Sequence, residues 1–119
     1  MKKICLVDDS SIIRSMLKTS LISEYEVLEA ENGEDAINKL KGTPVIDLFL
    51  LDVNMPIMDG LTLLKEIRKL PAYTSTPVIM LTTETKEERR EEAKKNGATG
   101  WIVKPCETEK LLSTLKKII

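Results

Sequence analysis

The chain has 119 residues, of which 42% are apolar and 31% are charged, and its formal net charge is −1. This length suits a single domain over residues 1–119, and the small net charge excludes a strong general attraction to nucleic acid or to an acidic membrane surface. The absence of histidine excludes catalysis by histidine and metal binding through histidine. No apolar stretch is long enough for membrane insertion.

The first half of the chain alternates strand and helix patterns. Ile4–Val7 is a short apolar run typical of a buried strand, and Ser11–Leu21 has a helical pattern with a serine at its cap. Glu26–Glu29 is predicted as the second strand, and Asn32-Gly33 opens a second helix. In the first helix, the residues expected to share one apolar face are Ile12, Ile13, Met16, Leu17 and Leu21.

The second half continues the same alternation. Asp47–Leu51 is apolar on both faces, as a central parallel strand should be. The later predicted elements are a helix after Gly60, a strand at Pro77–Leu81, a charged helix opened by a Thr85-x-x-Glu88 capping box, a strand at Trp101–Val103 and a closing helix at Glu107–Ile118. Five strands alternating with five helices predict a doubly wound α/β fold with helices on both faces of a parallel sheet. Spacing alone leaves the strand order open.

Polar side chains follow four of the five predicted strands. They are Asp8 and Asp9, then Asp52, then Thr82 and Thr83, and finally Lys104. Taken singly, each fits an ordinary cap or solvated loop residue. Because open parallel sheets bind ligands at the carboxyl ends of their strands, the four strand ends together favour a functional site at this edge.

The chemistry of these side chains is mutually consistent. Two carboxylates ~4 Å apart repel by about 1 kcal/mol in water and by about 4 kcal/mol at an effective dielectric constant of 20. A hard divalent cation such as Mg²⁺ relieves that repulsion at an oxygen-rich site. Lys104 adds a fixed positive charge and Thr82 a hydroxyl donor. The set suits the neutralisation of a phosphoryl group in transfer.

Four motifs make the whole chain resemble a known family. They are Val7-Asp8-Asp9-Ser10, Leu51-Asp52-Val53-Asn54-Met55-Pro56 with Met58-Asp59-Gly60, Leu81-Thr82-Thr83, and Lys104-Pro105. In order and spacing they are similar to the receiver domains of two-component response regulators, above all the free-standing, CheY-like chemotaxis type. The resemblance implies a flavodoxin-like fold with strand order 2-1-3-4-5.

The resemblance also implies roles for the acidic residues. Asp52 is expected to accept the phosphoryl group. Mg²⁺ is expected to be bound directly by Asp9 and Asp52, by the backbone carbonyl of Asn54, and by Asp8 largely through water. The metal set is therefore Asp8, Asp9, Asp52 and Asn54.

Further roles are implied for the later strand ends. Thr82 and Lys104 are expected to contact the phosphoryl group, and the Lys104-Pro105 bond is expected to be cis. Two positions depart from the usual family pattern. Trp101 stands where tyrosine or phenylalanine is usual in the switch, and Cys106 stands where many members have phenylalanine after the Lys-Pro pair.

The expected function is signalling by phosphorylation. A histidine kinase is the expected phosphodonor, and the expected output is binding of a downstream protein near Trp101 and the last two helices. The chain is expected to be a monomer or weak dimer that binds no nucleic acid directly and catalyses only its own phosphorylation and dephosphorylation. Cys5 and Cys106 lack metal-site spacing, and two free thiols suit the cytoplasm.

Two other functions share some features of this residue pattern. A Mg²⁺-dependent aspartyl-phosphate phosphohydrolase also uses carboxylates at strand ends, but Asp8 and Asp9 are adjacent rather than in a D-x-D arrangement. The chain also has little room for a cap domain. A nucleotide-binding module needs a glycine-rich turn after the first strand, and Asp8-Asp9-Ser10-Ser11 contains no glycine.

Overall fold

A computed structural model describes all 119 residues. The strands are β1 (Lys2–Val7), β2 (Tyr25–Ala30), β3 (Leu48–Leu51), β4 (Val78–Thr82) and β5 (Gly100–Val103). The helices are α1 (Ser11–Leu21), α2 (Gly33–Leu40), α3 (Gly60–Lys69), α4 (Glu87–Lys95) and α5 (Thr108–Ile118), with a short 3₁₀ helix at Pro71–Tyr73. All strand pairs are parallel in the order β2-β1-β3-β4-β5, which confirms the predicted fold class and strand order. None of the helices has the length and hydrophobicity needed to cross a bilayer.

The sheet has an apolar core on each face. In β3, Phe49 and Leu51 point toward a core shared with α2, α3 and α4, whereas Leu48 and Leu50 point toward a core shared with α1 and α5. All four side chains are buried, because successive residues of a strand point to opposite faces and both faces are covered. The sheet thus holds β1, β3 and β4 rigidly side by side, with their carboxyl ends at one edge.

The predicted N-cap of α1 is confirmed, but its predicted apolar face is partly wrong. Ser10 is the N-cap, and its hydroxyl accepts a hydrogen bond from the Ile13 N–H at 3.2 Å. Ile12 and Met16 are 71% and 62% exposed, although they were expected on the same face as the other apolar residues. The inward face of α1 is formed by residues spaced four apart, namely Ile13, Leu17 and Leu21. Ile12 and Met16 each lie one position earlier and are therefore rotated toward solvent.

The predicted capping box of α4 is wrong. The N-cap is Lys86, which makes no side-chain capping bond, and the helix begins at Glu87. The carboxylate of Glu84 instead accepts hydrogen bonds from the backbone N–H groups of Thr85 and Lys86, at 3.1 and 3.3 Å. Thr85 lies in the loop that precedes α4 and is not its N-cap.

Candidate functional site

Backbone hydrogen bonds of the sheet continue one residue beyond the strands and position the site residues. The Asp8 N–H donates to the Ala30 carbonyl at 3.2 Å, and the Asp52 N–H donates to the Val7 carbonyl at 2.9 Å. At the other side of the site, the Lys104 N–H donates to the Thr82 carbonyl at 2.8 Å. The side chains that follow the strands are therefore attached to the most rigid part of the fold.

Three of the predicted metal ligands come together. Carboxylate oxygens of Asp8, Asp9 and Asp52 lie within 4.8 Å of one another. Asp8 and Asp52 are only 3% and 8% exposed, whereas Asp9 is exposed. Both oxygens of Asp8 already have partners, since Oδ1 accepts from the Ser10 N–H at 2.9 Å and Oδ2 accepts from Lys104 Nζ at 2.7 Å.

Asp52 is the least satisfied member of this cluster. Its Oδ1 is buried without a hydrogen-bond partner, and its Oδ2 lies 3.7 Å from Lys104 Nζ. Burial raises the pKa of Asp52 above the ordinary value, against the lowering effects of the Thr82 hydroxyl and the Lys104 ammonium. A buried carboxylate oxygen with no partner is costly, and a bound cation or a new bond to that oxygen removes the cost.

The donor set at this edge fits a hard divalent cation. Its available ligands are all oxygens, and the carboxylates of Asp9 and Asp52 have no ammonium partner as close as the one Asp8 has. Oxygen-only sites with open positions suit Mg²⁺, which retains water when it binds to proteins. Asn54 lies two residues after Asp52 in the loop that follows β3, with its side chain exposed.

The remaining predicted site residues lie at the ends of β4 and β5. Thr82 is fully buried, and its hydroxyl accepts a hydrogen bond from the Glu84 N–H at 3.1 Å. The Lys104-Pro105 peptide bond is cis, as expected. Trp101 is half-buried against the core beneath α2, α3 and α4.

Gly60 fixes the loop after Asp52 by close backbone contact. A Cβ atom at this position would lie 1.9 Å from the Asp52 carbonyl oxygen, so any side chain would displace one of the two backbones. The Gly60 N–H also donates to the Val53 carbonyl at 2.8 Å. Asp59 is the N-cap of α3 and accepts from the Thr62 N–H at 2.8 Å. The start of α3 is therefore held against the backbone of the candidate phosphoacceptor.

Two arginines near the site were missed by the sequence reasoning. Arg14 Nη1 donates to the Asp8 carbonyl at 2.6 Å, and Arg89 lies 3.4 Å from Asp59 and 3.9 Å from Glu84. The position of Arg14 in α1, three residues before Leu17, was an available signal of an inward-facing cation. Arg89 lies in a long charged run, and nothing in that run distinguishes it from Arg90.

Comparison with known proteins agrees with this arrangement. The family model described as the response regulator receiver domain matches residues 4–116. This chain belongs to that family. The receiver domain is 35% identical to the chemotaxis protein CheY of Halobacterium salinarum over 119 residues, covering 99% of this chain and 97% of that protein. The predicted resemblance is thereby confirmed, and the match is to a family of signalling domains.

Solved structures resemble the receiver domain over its full length. Chemotaxis protein CheY4 of Vibrio cholerae is 43% identical, with a TM-score of 0.93 and coverage of 100% of this chain and 99% of that chain. The response regulator Rcp1, solved in a Mn²⁺-bound form, is 25% identical, with a TM-score of 0.83 and coverage of 99% and 91%.

Proposed function

We propose that residues 1–119 form a single receiver domain that is phosphorylated on Asp52 in a Mg²⁺-dependent reaction and then binds a downstream protein. The observation that carries this proposal is the buried, unpartnered Oδ1 of Asp52. The Asp52 carboxylate clusters with two others, those of Asp8 and Asp9, and its Oδ2 lies 3.7 Å from the Lys104 ammonium. The sequence relationship to chemotaxis proteins favours a chemotaxis-type regulator.

The proposed chemistry is transfer of a phosphoryl group from a phosphohistidine of a histidine kinase. A carboxylate oxygen of Asp52 forms the new O–P bond while the N–P bond of the donor breaks. The leaving imidazole keeps the electron pair of that bond and takes up a proton. Since residues 1–119 contain no histidine, the phosphohistidine of the donor lies outside them.

The oxygen atoms around Asp52 are the proposed Mg²⁺ ligands. Asp9, Asp52 and the backbone carbonyl of Asn54 would hold Mg²⁺, and Asp8 would hold it largely through water, as the family resemblance implies. Both carboxylate oxygens of Asp8 already accept hydrogen bonds, which supports this indirect role. Bound Mg²⁺ supplies positive charge next to the phosphoryl oxygens.

Lys104 and Thr82 complete the site. The Lys104 ammonium lies between Asp8 and Asp52 and is placed to pair with a phosphoryl oxygen on Asp52. The Thr82 hydroxyl, which already lowers the pKa of Asp52, donates to another phosphoryl oxygen once that group is in place. These are the catalytic groups of a self-directed reaction, and the domain acts on no external substrate. The alternative phosphohydrolase is not favoured, since the matched family is a signalling one.

The proposed output surface surrounds Trp101. This half-buried side chain lines a groove of about 460 Å³ between α4 and β5, together with Arg90 and Lys94. We infer that a downstream protein docks at this groove and against the neighbouring α5. With one net negative charge, the domain binds no nucleic acid directly, and it functions as a monomer or weak dimer in the cytoplasm. The two free thiols, Cys5 and Cys106, suit that reducing compartment.

Mass spectrometry after incubation with acetyl phosphate and Mg²⁺ tests the phosphorylation site. The wild-type protein is expected to gain one phosphoryl group, and Asp52→Asn is expected to gain none. Asp59→Asn is the matched control, because it removes a carboxylate in the loop that follows Asp52 and keeps an N-cap acceptor. An undiminished mass gain in Asp52→Asn would refute the assignment of Asp52.

A further inference from the structure

One guanidinium group connects the first turn of α4 to the two loops that flank the site. Arg89 Nη2 lies 3.4 Å from Asp59 Oδ2, in the loop between β3 and α3. Arg89 Nε lies 3.9 Å from Glu84 Oε1, in the loop between β4 and α4. The Glu84 side chain is 14% exposed and the Arg89 side chain is 31% exposed, so solvent screens this ion pair only in part.

Glu84 links this ion pair to the Thr82 hydroxyl. Its backbone N–H donates to Thr82 Oγ1 at 3.1 Å, and its Oε2 accepts from the N–H groups of Thr85 and Lys86. The second carboxylate oxygen faces Arg89. The rotamer of Thr82, the conformation of the loop after β4 and the position of Arg89 are therefore connected by a continuous set of polar contacts.

The other partner of Arg89 belongs to a fixed part of the structure. Asp59 Oδ1 accepts from the Thr62 N–H at 2.8 Å, while the next residue, Gly60, packs directly against the Asp52 carbonyl. Arg89 thus ties a loop that can rearrange to one that is held against the phosphoacceptor strand.

We propose that Arg89 is a positioning residue that stabilises the unphosphorylated arrangement of the Thr82 loop and so opposes activation. This inference rests on the proposed phosphorylation of Asp52. When the Thr82 hydroxyl turns toward a phosphoryl group, the Glu84 N–H loses its acceptor, and the loop must rearrange with Glu84 moving relative to Arg89. A contact shifts an equilibrium only when its free energy differs between the two states, and this contact favours the unphosphorylated one.

Beryllofluoride titration with saturating Mg²⁺, followed by the fluorescence of the single tryptophan, Trp101, tests the proposal. Arg89→Met is expected to lower the beryllofluoride midpoint by about two- to fivefold, the range of partly exposed ion pairs. Lys65→Met is the matched control. It removes one positive charge and a 3.4 Å ion pair that joins α3 to Glu92 of α4 and does not include the Thr82 loop. It is expected to keep the wild-type midpoint.

A second variant tests the role of Arg89 without relying on Arg89→Met alone. A second measurement tests it without relying on a response to beryllofluoride. Asp59→Asn keeps an N-cap acceptor but removes the charge that faces Arg89, so it is expected to shift the midpoint in the same direction. Without metal or beryllofluoride, amide hydrogen exchange at Glu84, Thr85 and Lys86 is expected to be faster in Arg89→Met than in the wild type or Lys65→Met.

The two possible failures are distinguishable. A wild-type protein that does not respond to beryllofluoride would contradict the proposed function, and the exchange rates would then still decide whether Arg89 positions the loop. Equal midpoints in Arg89→Met and the wild type, or an equal shift in Lys65→Met, would overturn the inference about Arg89.

Discussion

Replacing Asp52 with asparagine is expected to stabilise the metal-free protein at neutral pH. Asparagine has the same shape as aspartate but carries no charge, and its amide can donate to the carboxylates of Asp8 and Asp9. The expected gain reflects the cost of burying a charged oxygen, Oδ1, that has no hydrogen-bond partner. A mutation that removes the proposed phosphorylation site should therefore increase stability while abolishing function.

The size of the gain follows from the charges around Asp52. The carboxylate oxygens lie within 4.8 Å of one another, and at that outer limit repulsion from buried Asp8 is about 3.5 kcal/mol at an effective dielectric constant of 20. Repulsion from exposed Asp9, screened as in water, is about 0.9 kcal/mol at the same limit. Attraction to Lys104 at 3.7 Å is about 4.5 kcal/mol on the same scale. These contributions nearly cancel, so the unpartnered oxygen sets the net effect at about 1–3 kcal/mol.

The gain should also depend on pH. The pKa of Asp52 is raised by burial from an ordinary value of 3.8, so the folded state binds this proton more tightly than the unfolded state. Ionisation of Asp52 therefore lowers stability as pH rises through its folded pKa. The advantage of Asp52→Asn is fully present above that pKa, shrinks on acidification, and is lost below about 3.8.

Urea unfolding across this pH range, in the presence of a chelator, measures the effect. The midpoint for Asp52→Asn should exceed that of the wild type at pH 7 with an unchanged m-value. Asp59→Asn is a control of opposite sign. Burial opposes ionisation of Asp59, but hydrogen bonds from Thr62 and the nearby Arg89 outweigh it and lower the pKa, so ionised Asp59 stabilises the fold above about 3.8. Equal or lower stability of Asp52→Asn at pH 7 would refute the electrostatic reasoning.

Three further predictions concern metal, backbone and switch. Mg²⁺ should raise the unfolding free energy of the wild type by about 2.7 kcal/mol at a hundredfold excess over the dissociation constant, and Asp9→Ala should lose this response in thermal melts. Gly60→Ala should be destabilised in urea and bind Mg²⁺ more weakly in titration calorimetry, because its Cβ would overlap the Asp52 carbonyl. Mg²⁺ with beryllofluoride should change Trp101 fluorescence more than Mg²⁺ alone does, and this change should be smaller in Thr82→Ala. A fluorescence change in Thr82→Ala equal to that of the wild type would contradict the coupling of Thr82 to Trp101.

The residues placed by the sheet were predictable from the sequence. The apolar runs of β1, β3 and β5 end where those strands end, and the ladder of backbone hydrogen bonds carries Asp8, Asp52 and Lys104 to the same edge. The pattern of strands and helices predicts a parallel sheet, and the rule for open sheets indicates the edge at which ligands bind. The order of the strands followed from the resemblance to the family, because hydrophobic periodicity does not distinguish one order from another.

Contacts between side chains of different elements were less predictable. The Arg89–Asp59 pair joins residues 30 positions apart, and it forms because the sheet brings the starts of α3 and α4 together. The capping motif at Thr85 was a local pattern that does not form, and the helix begins at Glu87 with Lys86 as its N-cap. On α1, two candidate buried faces are shifted by one residue, one with Ile12 and Met16 and the other with Ile13 and Leu17. Both faces are apolar, so the sequence alone did not distinguish them.

The composition of α4 makes it, rather than α3, the helix that the proposed movement of the Thr82 loop would displace. In α3, five residues are buried, and Gly60 fixes its first turn on the Asp52 backbone. In α4, Ala93 is the one buried residue, and the contacts to α3 include the ion pairs of Arg89 and Lys65. Partly exposed ion pairs contribute at most about 1 kcal/mol each, whereas each fully buried leucine contributes about 1.5–3 kcal/mol. A rearrangement that displaces α4 therefore costs far less than one that displaces α3, which supports α4 as the helix that would move in the proposed switch.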